Sequence, residues 1–277
     1  MKNLTKIFAI MMVAVMAFSL AACGGNEENT AVDYSKSVDG ALVVAEAGSA
    51  GEELATSDEF FANAKFTAVD SMATALMDVA AGTSDIAIVD YVTSIGSIGD
   101  GTDFSKLAVV DGIDFNPEEY GIAFRKNSDV VPAVNAAIAE LMADGTMDGI
   151  AARYKLSDLL IKDGAAFDDA VTKGDLDYIK EKGEMIIGIT LFAPMNYEDD
   201  NQELVGFETE FAEAVCAKLG VEAKFVEINW NSKEIELNSK NIDCIWNGMT
   251  ITEERLENMS ISVPYMENKQ VMVSKAQ

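Results

Sequence analysis

The sequence contains no histidine. That absence removes the commonest general base, the commonest side-chain metal ligand and every histidine-based triad, so catalytic and metal-binding readings start at a disadvantage. Cations are scarce as well: 20 Lys and Arg stand against 47 Asp and Glu, a formal charge of −27. A field of that sign repels nucleic-acid phosphate and anionic headgroups, which argues against a nucleic-acid partner. Cysteine occurs three times, and without a histidine beside it a catalytic thiol is not expected. No internal repeat is detectable, because the two halves share periodicity but not motifs. The N-terminal apolar run, Ile7 to Leu20, is too short for a comfortable bilayer span.

What is present points to a globular exported protein. With 277 residues and 49% hydrophobic content, the chain can bury one large core or two modest ones. Lys2 and Lys6 precede the apolar run, and small residues follow it, so residues 1–22 read as a secretory signal. Leu20-Ala21-Ala22-Cys23-Gly24 resembles the lipobox of bacterial lipoproteins. By that resemblance Cys23 becomes the lipidated N-terminus, residues 23–37 a flexible tether, and the protein sits on the extracytoplasmic face of the cell membrane. Cys216 and Cys244 remain; exported proteins form disulfides, and both a bridge and two buried free thiols are open here.

From Ala41 onward short apolar runs alternate with amphipathic stretches. "ALVVAEAGSAGEELA" reads as strand, glycine turn and helix start; "KFTAV", "DIAIV" and "KLAVV" as strands; "DSMATALMDVAAG" as a helix capped by Asp70 or Ser71 and ended by Gly82. "YGIAFRK" is a strand, and residues 128–154 a helix, turn and helix. "EMIIGIT", "EAKFVEI" and "IDCIW" are strands separated by the helices "FETEFAEAVCAKLG" and "SKEIELNSK". Such alternation predicts an α/β protein with mostly parallel sheets. The expected division is a small lobe at 38–112, a hinge at 113–118, and a second lobe at 119–277 containing a linker at about 162–173.

"YIKEKGEMIIGITLFAPMNYEDDNQELVGFETEFAEAVCAKLG" and "NIDCIWNGMTITEERLENMSISVPYMENKQVMVS" resemble the first third of the family 3 extracellular solute-binding proteins of polar amino-acid ABC importers. "ALVVAEAGSAGEELA", "SDIAIVDYVTS" and "EEYGIAFRKNSDVVPAVNAAIAELMADGTMDGIAARY" resemble the remainder. The family's first segment comes last here, an order that a circularly permuted single protein gives and that a cut from a tandem pair, the end of one copy fused to the start of another, gives as well. The resemblance implies a two-lobed, type II periplasmic-binding-protein fold, circularly permuted, with a single covalent hinge near 111–119 and both mature termini beside it. It implies capture of a free amino acid for a membrane permease, with no cofactor and no catalysis. An extracellular sensor domain and a dehydratase-like enzyme are the alternatives on the same fold.

An amino acid is a zwitterion, so its site needs cationic donors and anionic acceptors at a fixed separation. By the resemblance, Arg255 grips the carboxylate with Thr250, and Gly248 offers its carbonyl to the ammonium. Asp90, at the C-terminal edge of "DIAIV", binds the ammonium, while Ser49 and Ala50 at a helix start add carboxylate contacts. Phe192 and Trp230 are the aromatic walls. Glu46 faces the side-chain end, where an acid favours a basic amino acid, although Thr190 is neutral where some relatives carry an acid.

Overall fold

The computed structural model describes residues 32–167 and 171–276; the expected signal segment, Cys23 and the tether up to residue 31 lie outside the described residues. Strand–helix alternation begins at once. β1 (Leu42–Glu46) leads into α1 (Ala50–Ser57), β2 (Lys65–Val69) into α2 (Met72–Ala81), and β3 (Ile86–Asp90) into α3 (Tyr91–Ser97). Ser71 caps α2 by accepting from Thr74 N, and Gly82 closes it in the left-handed conformation. β4 (Leu107–Val109), β5 (Pro117–Tyr120) and β6 (Ala123–Arg125) follow, then α4 (Val130–Ala143), α5 (Thr146–Arg153) and α6 (Asp175–Lys182). The rest comprises β7 (Glu184–Ile189), the small hairpin β8 (Tyr197–Glu198) and β9 (Leu204–Val205), α7 (Phe207–Leu219) and β10 (Glu222–Glu227). It ends with α8 (Lys233–Asn238), β11 (Cys244–Ile245), α9 (Glu253–Asn258), β12 (Met259–Ile261) and β13 (Met266–Lys275).

Two mixed sheets carry the molecule. In the first, ordered β2-β1-β3-β13-β4, β1 is parallel to β2 and β3 while β13 runs antiparallel to β3 and β4. Every residue of β3 is buried, as an unbroken apolar run in a sheet covered on both faces requires. The second sheet is ordered β10-β7-β11-β6-β12, with β7 parallel to β10 and β11 and with β6 antiparallel to β11 and β12. Helices flank both sheets: α2 packs on β1 and β3, and α7 lies against α4, α5 and β10.

The strand β13 changes the expected division. Residues 119–277 as one lobe would confine it to the second sheet's half of the molecule. Instead Met266–Lys269 pairs with β5, and Gln270–Lys275 continues into the first sheet against β3 and β4. Its side chains are buried almost throughout, so one ten-residue strand serves the crossing and the sheet beyond. The single covalent hinge is therefore corrected to two, β5 and β13, hydrogen-bonded antiparallel from Pro117↔Lys269 to Tyr120↔Met266. The position of the chain ends changes with it. The N-terminal arm does reach the hinge, with Ser35 3.6 Å from where a Cβ on Gly112 would stand. Lys275, however, pairs with Leu107 at the end of β4 away from the hinge, because β13 has by then run along that strand.

The linker expected near 162–173 is pinned to the second lobe. Ile161 N donates to Tyr265 O at 3.0 Å and Thr172 N to Asn127 O at 2.7 Å, and a Cβ on Gly164 would fall 2.4 Å from Pro264 O. Cys216 and Cys244 are buried free thiols. Burial pushes the Cys216 pKa up to about 12 and that of Cys244 well above its ordinary value, which makes both unreactive.

Gly206, which enters α7, has φ +133°, and a Cβ there would meet Met195 O at 2.1 Å. Gly206→Ala is expected to cost about 3 kcal/mol through combined backbone strain and overlap. Urea unfolding checks it; a loss below about 1 kcal/mol contradicts the reading.

Candidate functional site

β1 and β3 lie side by side in parallel, so Glu46 and Asp90, at their C-terminal ends, arrive at the same edge of the first sheet. That edge is where α/β sheets collect ligands. The turn after β1 starts α1, whose N-cap Ser49 accepts from Glu52 N. Asp90 occupies the N-cap of α3 but makes no capping bond. Its Oδ1 instead accepts from the side-chain amides of Asn268, at 3.0 Å, and Gln270, both on the crossing strand.

The opposing wall follows β11. Gly248 N donates to both Glu208 carboxylate oxygens at 2.9 and 3.0 Å, which holds the Asn247–Thr250 segment from beneath. A Cβ on Gly248 would meet Phe192 Cζ at 2.8 Å and Tyr120 Cζ at 3.2 Å, so only glycine fits there without displacing an aromatic ring. Asn247 Nδ2 donates to Thr190 O and Asn196 Oδ1, and its Oδ1 accepts from Thr190 N and Oγ1. Thr252 caps α9, which aims Arg255 back at this segment. Nη1 of Arg255 donates to Thr250 O at 2.6 Å and Nη2 to Gly48 O at 3.3 Å.

These two walls border one small cavity of about 10 Å³. Glu46, Ser49, Ala50, Asp90, Trp230, Gly248, Thr250 and Arg255 all line it, joined by Met72 and Asn247. Phe192 is buried but does not line the cavity; it packs under Gly248. Arg255 is only 8% exposed, which separates it from an ordinary surface arginine of a charged helix start.

Sequence reasoning missed the groups that hold the charges. Glu118, on β5, accepts from Thr250 Oγ1, Asn268 Nδ2 and Gln270 Nε2, each at 3.0 Å. Asn268 and Gln270 therefore bridge two carboxylates, Asp90 and Glu118. The signal available was their spacing: two amides at i and i+2 share one face of a strand, and buried polar groups need partners. Lys233, 6% exposed, also escaped, since "SKEIELNSK" reads as a solvent-facing helix.

Residues 185–277 match the family profile of bacterial extracellular solute-binding proteins, family 3. Among curated relatives, the L-cystine-binding protein TcyJ of Escherichia coli K12 is 36% identical over 94 residues, 34% of this chain and 35% of the relative. The ABC transporter arginine-binding protein 1 of the same strain is 32% identical over 84 residues, 30% of this chain and 35% of that one. The chain thus spans about a third of the length of these relatives. A solved structure, the arginine-bound form of domain 1 from TmArgBP, is 33% identical, covering 36% of this chain and 85% of that one at a TM-score of 0.32.

The cavity's acids are held towards their protonated forms. Burial, then the charge of Asp90, pushes Glu46 from its ordinary 4.5 up to about 8, with Lys233 opposing. Burial and the neighbouring Glu118 raise Asp90 to about 7 against the two amide hydrogen bonds. Burial raises Glu208 to about 7 despite its bonds from Tyr265 and Gly248. A carboxyl group with a raised folded pKa binds its proton more tightly in the fold than in the unfolded chain, so its stabilising effect is lost as pH rises. Lys233, depressed to about 8 by burial and Arg255, has the opposite slope, but only above pH 8. The ligand-free protein is therefore expected to melt at progressively lower temperature from pH 5 to 8, and Glu46→Gln to flatten part of that decline. Identical slopes in a pH series of thermal scans would show that Glu46 is not held in this way.

Proposed function

We propose, from the match of residues 185–277 to the family 3 bacterial extracellular solute-binding proteins, that this cavity captures a free polar amino acid for delivery to an ABC permease. The observation that carries the reading is a charge arrangement. Arg255 and Asp90 come from opposite walls and line the same space; Arg255 donates to backbone carbonyls and Asp90 accepts from carboxamides, and neither forms an ion pair among the described residues. Two buried charges of opposite sign without ion-pair partners are costly, and a zwitterion neutralises both at once. The relatives, cystine- and arginine-binding proteins, support the same chemistry and a binding role rather than a catalytic one.

In this reading the ligand carboxylate meets the Arg255 fork, Thr250 N–H and the backbone N–H groups at Ser49 and Ala50. The ammonium lies between Asp90, the Gly248 carbonyl and the Thr250 hydroxyl, and the side chain runs over Trp230 towards Glu46. Because the contacts come from two sheets joined by β5 and β13, ligand binding favours the closed arrangement of the lobes. The segment order is that of a circularly permuted family member, since the family profile falls on the C-terminal residues while β1 to β4 complete the sheet that β13 enters. Cys23 carries a lipid that holds the protein at the outer face of the membrane.

Arg255→Ala removes one partner of a buried pair, a change that typically costs about 3–5 kcal/mol. Calorimetry with the twenty amino acids should find a ligand for the wild type and none measurable for the variant, with the fold intact by circular dichroism. Affinity within threefold of wild type would refute the assignment. For the anchor, Cys23→Ala expressed in a bacterial host should move the protein from the membrane fraction to the soluble one. Retention on membranes after that change rules the lipid out.

A further inference from the structure

The hydroxyl of Thr250 carries a single proton, and that proton is already committed. Thr250 lines the cavity, while its Oγ1 donates to Glu118 Oε2 at 3.0 Å. Glu118 does not line that space; it borders a second, larger cleft that shares Thr250 and Ala50 with the first. The accepting oxygen is held in place by two more donors, Asn268 Nδ2 and Gln270 Nε2, each at 3.0 Å. Both nitrogens also donate to Asp90 Oδ1, so each amide has its two protons on carboxylates. Val92 N keeps Asn268 this way round by donating to its Oδ1 at 3.4 Å.

The consequence is a polarity. A hydroxyl that has given its one proton to a carboxylate can only accept from a further neighbour. The cavity therefore presents two side-chain acceptors, Asp90 and Thr250 Oγ1, where the α-nitrogen is expected. An ammonium brings three protons and suits both. Asp90 alone would accept from a 2-hydroxyl too, but the lone pairs of that hydroxyl then meet those of Thr250 Oγ1 with no proton between them. A 2-oxo group brings no proton at all. Either leaves a desolvated acceptor unpaired, which is the costly case.

We propose that Glu118 is a positioning residue that turns the Thr250 hydroxyl into an obligatory acceptor, and so makes the site select a 2-amino acid over the 2-hydroxy and 2-oxo acids with the same side chain. This rests on the reading that Asp90 and Arg255 hold the α-groups. It adds a group on the β5 ribbon, outside the cavity, that sets their selectivity.

The test is calorimetry on the whole protein. The twenty common amino acids and cystine are the first probes, and the tightest binder is then compared with the 2-hydroxy and 2-oxo acids that carry its side chain. The wild type should prefer the amino acid by roughly a hundredfold or more, as sites do when the wrong ligand leaves a buried polar group unpaired. Glu118→Met keeps the length, removes the acceptor, and should cut that preference at least tenfold; Glu118→Ala gives the same readout with less bulk. Glu118→Gln keeps a carbonyl oxygen for Thr250, since the two amides hold it there, and should stay within threefold of the wild-type preference. In a Thr250→Val background, Glu118→Met should move the preference less than threefold, because the hydroxyl it steers is gone. Equal weakening of amino and hydroxy acid in Glu118→Met overturns the proposal, as does an equal fall in Glu118→Gln, which makes charge the cause. Binding that needs Arg255 while the preference ignores Glu118 defeats this inference alone. No amino-acid binding to the wild type defeats both readings.

Discussion

Two carboxylates, the buried Asp90 and the half-buried Glu118, are kept close together, and two carboxamides make that possible. Asn268 and Gln270 each donate to both acids, so the like charges share neutral donors rather than a cation. A lysine or arginine in their place would pair with Asp90 directly and neutralise it. Amides stabilise the anion without cancelling it, which preserves a field that reaches into the cavity. The same economy appears on the other side, where Arg255 rests on the carbonyls of Thr250 and Gly48 and Lys233 on those of Gly48 and Trp230.

This arrangement depends on the fold at one place above all. The amides sit on β13 where it leaves β5 and enters the first sheet, and the register Gln270↔Asp90 puts donor opposite acceptor. A slip of one residue would turn the amides to the opposite face of the sheet. Glu208 performs the equivalent task under the second wall: its carboxylate fixes Gly248 N, and Tyr265 donates to it in turn. Buried side chains that never line the cavity thus decide the direction of those that do.

Much of this was legible in the sequence, and the parts that were not share a cause. The strand–helix order, the α2 ends at Asp70 or Ser71 and at Gly82, and the helix–turn–helix over residues 128–154 follow from local patterns that need only a few neighbours. Arg255, Thr250, Gly248, Asp90 and Ser49 came from a resemblance that quotes contiguous motifs. The pairing of Asn268 with Asp90 spans 178 residues, and no local period announces it. The crossing of β13 was missed because its alternation looks the same whether its partners are β5 or β3. Lys233 was missed because a lysine at the start of a short charged helix is usually solvated, and only the opposing Gly48 carbonyl makes it otherwise.

The β5–β13 ladder has a mechanical meaning. A single linking peptide could swivel about any of its torsions, letting the two bodies it joins rotate freely against each other. Two antiparallel segments cross-tied over four residue pairs behave as a flat ribbon: stiff against twist and shear, pliable only in flexure normal to its plane. Any motion of one sheet against the other would thereby be reduced to nearly one angular coordinate, and under the proposed binding reading the entropy surrendered on closure would be correspondingly small.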